Sequence, residues 1–506
     1  MKNLKIFLSR RVFLLFFLLF YIAISAFTYR DYGTTIDEFN VYMRGKLFYE
    51  KVRGNDQILQ KDFVIPQDQS TLTMYNNTQN AFYYAINGSE NYETYHLLNL
   101  IFGSFIFIAI YELILLYSKK PYFALLGSVF LFLTPRFFGD IPANPKDIPF
   151  AIWYFLSLTG IVLLQKSEEK LRILILGFIF GMTQGLRLVG YSIYFVYLFA
   201  LLLRIDKKKP LLNQLKNLAL EGFIIAIIGY FVHMATMPFL GADPFNNFIS
   251  LLNMTKQFGW ISEVLLWGRT HMSTSLPWYY LPSWILVTTP IFILITSIYG
   301  LMFGNKKHLS YQITTAALVV NLAIFFITRP IIYDGLRHML FLLPMVVVLS
   351  SIGVFEFFHR KFSFTVKIAV MALLIVNILG ILVSYVRLHP YEYVYFNEIV
   401  GGLPGARGNF ETDYWGAANK EAALWLGEYF RSNGTPKKLK IYVCSYSNHI
   451  VDYLGTDAQA VDKKLKDSAD FTICWERNED HLTIKGKKIH TVFRMDTPLV
   501  YVFKND

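Results

Sequence analysis

The chain has 506 residues, 54% of them hydrophobic and only 17% charged, with 46 Phe and 33 Tyr. Charge is this sparse in few soluble domains, and the apolar residues fall in runs long enough to cross a bilayer. The formal net charge of +12 is spread over short connections between alternate apolar runs, not gathered on one face of a soluble domain, which argues against a nucleic-acid partner.

Lys2, Lys5, Arg10 and Arg11 precede the first apolar run, Val12 to Thr28. No small-residue cleavage site follows it, so it reads as a span leaving the cytoplasm and not as a cleaved signal. A long polar segment, 29–95, comes next. Phe39, Met43, Leu47 and Val52 recur there at roughly helical spacing, the pattern of a helix lying on the membrane surface. Arg44, Lys46, Lys51 and Arg53 sit in this loop against the positive-inside rule, which is weak for loops of this length.

Further spans are expected at Leu97 to Tyr117, Tyr122 to Thr134 and Ile148 to Leu164. Between the last two lies a proline- and charge-rich outer loop, residues 135–147. Two shorter runs, Ile173 to Leu186 and Val189 to Leu203, are separated by Arg187 and read as a closely spaced pair. Leu218 to Met237 is the next span. The outer segment after it repeats Phe245, Phe248, Ile249 and Leu252 at helical spacing, a second surface helix. Tyr280 to Phe303, Ile313 to Thr328, Met339 to Phe358 and Phe364 to Val386 complete a set of about eleven helices. Lys119-Lys120, Lys166, Arg204 to Lys216, Lys306-Lys307 and Arg360-Lys361 all fall on one side, which sets the N-terminus in the cytoplasm and the tail outside.

Residues 1–386 thus read as a polytopic α-helical membrane domain with a large first outer loop, and 387–506 as a small α/β C-terminal extracytoplasmic domain. In the tail Ala417 to Phe430 has a helical pattern, while Leu439 to Cys444, Phe471 to Trp475 and Leu499 to Phe503 have the pattern of strands. Cys444 and Cys474 are compatible with a disulfide and also with two buried thiols in neighbouring strands, the reading favoured on sequence. No Cys/His spacing resembles a zinc site.

The charged residues expected near membrane level on the outer side are Asp37, Glu38, Arg136, Asp140, Lys146, Asp147, Arg187, Arg269, His271, Asp334, Arg337 and His338, with Tyr333 beside the last three. Singly, each reads as a helix cap or an interfacial anchor. Asp37 and Glu38 in particular suit the first turn of a helix. Together, from separate loops on one face, they suggest a pocket bearing both signs of charge.

Sugar transfer from a lipid-linked phosphate needs both signs. A carboxylate takes the proton of the attacking hydroxyl, and cations stabilise the departing phosphate. Asp37 is the candidate base, with Glu38, Asp140 and Asp147 as further acids. Either Asp140 or Asp147 would hold the acceptor or assist the base. Lys146, Arg187, Arg269 and Arg337 are the candidate phosphate ligands. Arg136, His271, Tyr333, Asp334 and His338 are assigned to the rest of the pocket. No glycine-rich nucleotide loop is present. The sequence calls for no definite cofactor and leaves a divalent metal ion open. The competing function is a lipid-linked sugar flippase or transporter, which would place charge midway along spans. Glu112 and Glu221 are the main candidates for that, and each sits nearer an end. No internal repeat supports a transporter architecture. A scaffold that binds partners through its outer domain is a third reading.

Several stretches resemble the GT-C membrane glycosyltransferases. Thr34-Thr35-Ile36-Asp37-Glu38 is similar to their first-loop acidic motif. Arg136-Phe137-Phe138-Gly139-Asp140, Asn144-Pro145-Lys146-Asp147, Leu276-Pro277-Trp278-Tyr279-Tyr280, Tyr333-Asp334-Gly335-Leu336-Arg337-His338, the stretch His389 to Asn397, and Asp413-Tyr414-Trp415-Gly416 resemble the bacterial branch of the protein O-mannosyltransferase-like family, itself similar to lipid A aminoarabinose transferases. The resemblance covers residues 1 to about 430. It implies a multi-span fold, inverting transfer from a polyprenyl-phosphate-linked sugar, Asp37 as base, and an acidic loop before the fourth span as a second functional element. The acceptor, whether protein, lipid or glycan, is not implied, because fold does not fix substrate.

Overall fold

The structure, a computed structural model, describes residues 9–55, 77–88, 91–256, 261–433, 439–444, 448–454 and 458–505. Lys2 and Lys5, and the stretch 56–76 of the first polar segment, lie outside the described residues.

Helix α1 (Val12–Thr28) is followed by α2 (Ile36–Val52) and α3 (Thr78–Asn87), which pack on each other beside the bundle. Helix α4 (Tyr92–Ser118) runs through the centre. Helices α5 (Pro121–Phe132) and α6 (Pro135–Ala143) meet at a bend of 69°. The segment expected to be a loop is therefore helical. Pro135 occupies its first turn, where a missing N–H costs nothing, and Pro142 falls in its last.

Then come α7 (Asp147–Leu163), α8 (Glu169–Leu186), α9 (Ile193–Leu202) and α10 (Leu211–Thr236). The expected surface helix is present as α11 (Pro244–Lys256). A hairpin of β1 (Glu263–Leu266) and β2 (Arg269–Met272) follows, which the sequence pattern did not suggest.

The run expected as one span from Tyr280 to Phe303 is two helices, α12 (Tyr280–Thr288) and α13 (Ile291–Phe303), bent by 117°. The break is at Thr289-Pro290, where extended backbone and a proline without an N–H end the first helix. Helices α14 (Leu309–Thr328), α15 (Leu343–His359) and α16 (Phe364–Leu388) complete the bundle.

Among the described residues, five helices are long and apolar enough to cross a membrane, or up to seven if each bent pair is one span; three shorter apolar helices accompany them. The chain is a multi-pass integral membrane protein. Helices α4, α7 and α15 are largely buried in the bundle, whereas α16 keeps most of its apolar side chains on the outside. Such a surface is at home in lipid, where an α-helix satisfies its own backbone. Small residues bring α13 and α15 together: a Cβ at Gly353 would lie 2.0 Å from the Thr296 carbonyl oxygen.

The bundle has two chemically different ends. At one, ion pairs tie basic connections to helix ends. Arg11 reaches Glu112 at 2.6 Å, and Glu221 is held between Arg172 (2.7 Å) and Arg204 (2.8 Å). Both carboxylates that a transporter reading would use are thus neutralised at the basic end. The opposite end carries the loops expected on the outer side and the C-terminal domain.

That domain places α17 (Asn419–Asn433) against a five-stranded mixed sheet. Its strands are β3 (Leu439–Val443), β4 (Ala458–Val461), β5 (Phe471–Trp475), β6 (Lys487–Arg494) and β7 (Thr497–Lys504), in the spatial order β4-β3-β5-β7-β6. The β3 strand is parallel to β4 and β5, and β7 is antiparallel to β5 and β6. Cys474 lies on β5 and Cys444 directly follows the neighbouring β3, but they are joined as a disulfide and are not the two buried thiols favoured on sequence.

Candidate functional site

Asp37 stands in the first turn of α2, half-exposed. One of its oxygens accepts from an Arg337 Nη atom at 2.5 Å. Burial alone would raise this carboxyl. The positive charges of Arg337, Lys146, Arg187 and Arg44 outweigh burial and hold it below the ordinary carboxylate range.

Its neighbour Glu38 turns the other way and is fully buried. Glu38 accepts from the Thr35 backbone N–H at 2.6 Å, the returning half of a capping box, and meets His96 Nε2 at 2.8 Å and Tyr42 Oη at 3.2 Å. Of the two adjacent acids, one faces the cationic cluster and one closes the helix.

Arg337 is the hub. It is buried and touches three carboxylates: Asp37, Asp334 at 2.7 Å and Asp147 at 3.6 Å. Its guanidinium lies over the rings of Tyr333 and Trp415, at 5.5 and 5.3 Å from their centroids. Asp147 opens α7 and is bound on its other side by Arg187, which sits in the extended break after α8. The two shorter apolar runs therefore deliver Arg187 to the site at the point where they part. Lys146, immediately before α7, adds its charge to the field at Asp37. His338 packs edge-on against Tyr333, with ring centroids 4.7 Å apart.

The turn before Arg337 depends on backbone that few residues adopt. Asp334 has φ +57° and Gly335 φ +68°. A Cβ on Gly335 would also come within 3.1 Å of the Trp284 ring, so glycine is required here on two counts. The Gly335 N–H donates to Tyr280 Oη at 3.1 Å, which explains the tyrosine at the start of α12.

Asp140 and Arg136 lie deeper, on α6, and both are fully buried. The Asn144 side-chain amide links the two acids of this region, donating to Asp140 at 3.1 Å and to Asp147 at 3.2 Å. Asn144 Oδ1 in turn accepts from the Asp147 N–H at 2.8 Å. Arg136 is enclosed by Trp284, Phe396 and Tyr414, with its guanidinium 5.5, 5.2 and 5.8 Å from their centroids. Rings from α12 and from the two aromatic stretches after α16 thus converge on this arginine.

Arg269 does not join the cluster. It stands exposed on β2, in a hairpin tied to the 409–410 segment, and forms no ion pair among the described residues. His271, two residues on, pairs with Val264 across the same hairpin.

Two participants were not singled out from the sequence, Arg477 and Glu411. Arg477 follows β5 in the C-terminal domain and reaches Asp334 at 2.5 Å, Glu411 at 3.2 Å and the Tyr414 carbonyl at 3.0 Å. Burial, eased by Arg477 and reinforced by Asp334, raises the Glu411 carboxyl. No local pattern could flag a contact between residues 143 apart in the chain.

Among the described residues no group of three or more His, Cys, Asp or Glu stands together as a metal-binding set. A separate cavity of about 440 Å³ lies at the C-terminal end of α14, lined by residues 273–278 and by Phe325, Phe326, Arg329 and Pro330. It does not include the carboxylates or guanidiniums described above.

No protein family's sequence model matches this chain, and no curated protein does. Solved structures do. ArnT from Cupriavidus metallidurans bound to undecaprenyl phosphate superposes with a TM-score of 0.51 at 11% identity, over 96% of this chain and 98% of that one. The apo state of the same protein gives 0.51 at 12% identity, over 96% and 97%. At such identity the likeness is one of fold alone.

Proposed function

We propose that the chain is an integral-membrane glycosyltransferase that moves a sugar from a polyprenyl-phosphate-linked donor to an acceptor hydroxyl on a protein, lipid or glycan. In this reading it spans the membrane about eleven times, with the N-terminus cytoplasmic and the C-terminal domain outside. Its motifs resemble those of the bacterial protein O-mannosyltransferase-like proteins and the lipid A aminoarabinose transferases. The observation that carries the reading is the Asp37–Arg337 contact, with Asp147 and Arg187 adjoining it, at the end of the bundle opposite the basic connections. The likeness of fold to a protein bound to undecaprenyl phosphate supports the choice of donor.

The chemistry follows from these groups. Asp37 takes the proton of the acceptor hydroxyl as its oxygen attacks the anomeric carbon from the face opposite the phosphate. The bond from that carbon to the phosphate oxygen breaks, and its electron pair leaves on the polyprenyl phosphate. The configuration inverts. Arg337, Arg187 and Lys146 take up the charge that grows on the phosphate, in a site where carboxylates already hold the two arginines in place. Asp147 holds the two arginines, and either Asp140 or Asp147 holds the acceptor or assists the base. Arg136, Tyr333, Asp334 and His338 line and support the site.

The test is Asp37→Asn in membranes or nanodiscs, supplied with a polyprenyl-phospho-sugar and scored for glycosylated product. Transfer should fall on the order of 10²–10⁴-fold while the protein stays folded. Undiminished turnover would remove Asp37 as base. Movement of donor across liposomes with no covalent product would favour a flippase.

A further inference from the structure

Arg337 can serve a phosphate only if something holds it while its partners change. Asp37 is its half-exposed partner, on a helix at the surface of the bundle. Asp334 and Asp147 are its buried ones, Asp334 the nearer, and Asp334 is not held by Arg337 alone. One Asp334 oxygen accepts from Arg337 at 2.7 Å, and the other accepts from Arg477 at 2.5 Å. A single carboxylate thus bridges two guanidiniums, which would otherwise repel across a water-poor space.

We propose that Arg477, delivered by the C-terminal domain, is a positioning residue that fixes Arg337 through Asp334. This inference rests on the glycosyltransferase reading. Arg477 reaches Arg337 by two routes. The first is the carboxylate bridge. The second runs through the backbone: Arg477 donates to the Tyr414 carbonyl at 3.0 Å, and the next residue, Trp415, presents its ring to the Arg337 guanidinium. Asp413 stiffens the same segment by accepting from the Trp415 and Gly416 N–H groups at 3.0 and 2.8 Å and from Tyr393 Oη at 2.5 Å.

Glu411 completes the arrangement, reaching at 3.2 Å the same Arg477 Nη2 that binds Asp334. Charges therefore alternate along one chain of contacts: Glu411, Arg477, Asp334, Arg337, Asp37. The chain is anchored in the C-terminal domain and its connection to the bundle, and it ends at the proposed base. It makes the tail part of the site. Asp37, at its exposed end, is the partner that a donor phosphate can displace. Asp334 cannot leave without taking a partner from Arg477 as well.

The experiment measures binding of undecaprenyl phosphate to the full-length protein in nanodiscs, together with transfer kinetics, for wild type, Arg477→Gln and Arg477→Lys. Arg477→Gln should weaken undecaprenyl phosphate about tenfold, the size expected for losing one charge-assisted contact. KM for the donor should rise more than kcat falls. Arg477→Lys, which restores the charge without the two-pronged geometry, should recover part of the affinity and is the variant to use if the glutamine form does not fold. Unchanged affinity per folded molecule in Arg477→Gln, or in Arg477→Lys where the glutamine form does not fold, with only the yield or thermal midpoint reduced, would make Arg477 merely structural and overturn the proposal. If wild type itself failed to bind undecaprenyl phosphate, the donor assignment would fall, and the proposal with it. That result is distinguishable because it appears before any substitution.

Discussion

At the scale of single residues, the contrast between Asp37 and Glu38 shows how position decides chemistry. The two are adjacent and alike in charge. Asp37 faces several cations, and Glu38 spends its oxygens on Thr35, His96 and Tyr42. A carboxyl held below its usual range remains ionised through neutral and mildly acid pH. Its contribution to folding is fully present above the unfolded pKa and is lost as pH falls through the depressed folded pKa. The acid limb of kcat/KM should accordingly lie below the range of a free carboxyl. Removing the Arg337 charge leaves burial as the dominant influence and moves that limb upward. Arg337→Gln should show this shift in a normalised pH–rate profile, with overall turnover reduced by on the order of 10²–10³. A limb that stays where wild type has it would mean that the titrating base is not Asp37.

At the scale of elements, the legible parts were those that lipid dictates. A crossing helix needs a long apolar run, and α4, α10, α14, α15 and α16 could be read from the sequence as spans. The bend at Thr289-Pro290 was hidden because both halves are equally apolar. The α6 helix was hidden by its prolines, and β1 and β2 by being only four residues long each. In the tail, β3, β5 and β7 showed themselves through β-branched and aromatic runs, while β4 and β6 did not. Within the site the same division holds. Asp37, Asp147, Arg187, Asp334 and Arg337 could be named because they flank spans. Arg477 could not, since its role comes from the docking of a distant domain.

The α2 helix offers a test at this scale. Its N-terminus is closed by Glu38, and Thr35 Oγ1 donates to the Ala143 carbonyl at 3.0 Å, which ties the helix to the end of α6. Glu38→Gln keeps an acceptor for the Thr35 N–H but gives up the charged contact with His96. It should lower the unfolding free energy by about 1–3 kcal/mol, read as a lower thermal midpoint. Transfer per folded molecule should be unchanged. A large loss of kcat at unchanged stability would place Glu38 in the chemistry after all.

At the scale of the molecule, the two ends of the bundle carry an argument about orientation. Basic residues cluster at one end, where Glu112 and Glu221 are paired by arginines. The other end gathers the acid–guanidinium cluster and the disulfide-bonded domain. Cytoplasmic loops favour Lys and Arg, and disulfides persist in oxidising compartments, so both features agree with the proposed orientation, in which that second end faces outward. The chain offers a clean reporter, because among the described residues no cysteine is free. Lys208 lies exposed in the basic connection before α10, and Lys464 lies exposed after β4. In intact cells a membrane-impermeant maleimide should label the Lys464→Cys protein at once and the Lys208→Cys protein only after permeabilisation. The reverse pattern would put the Asp37–Arg337 site on the cytoplasmic side, and a donor presented on the outer face could not reach it.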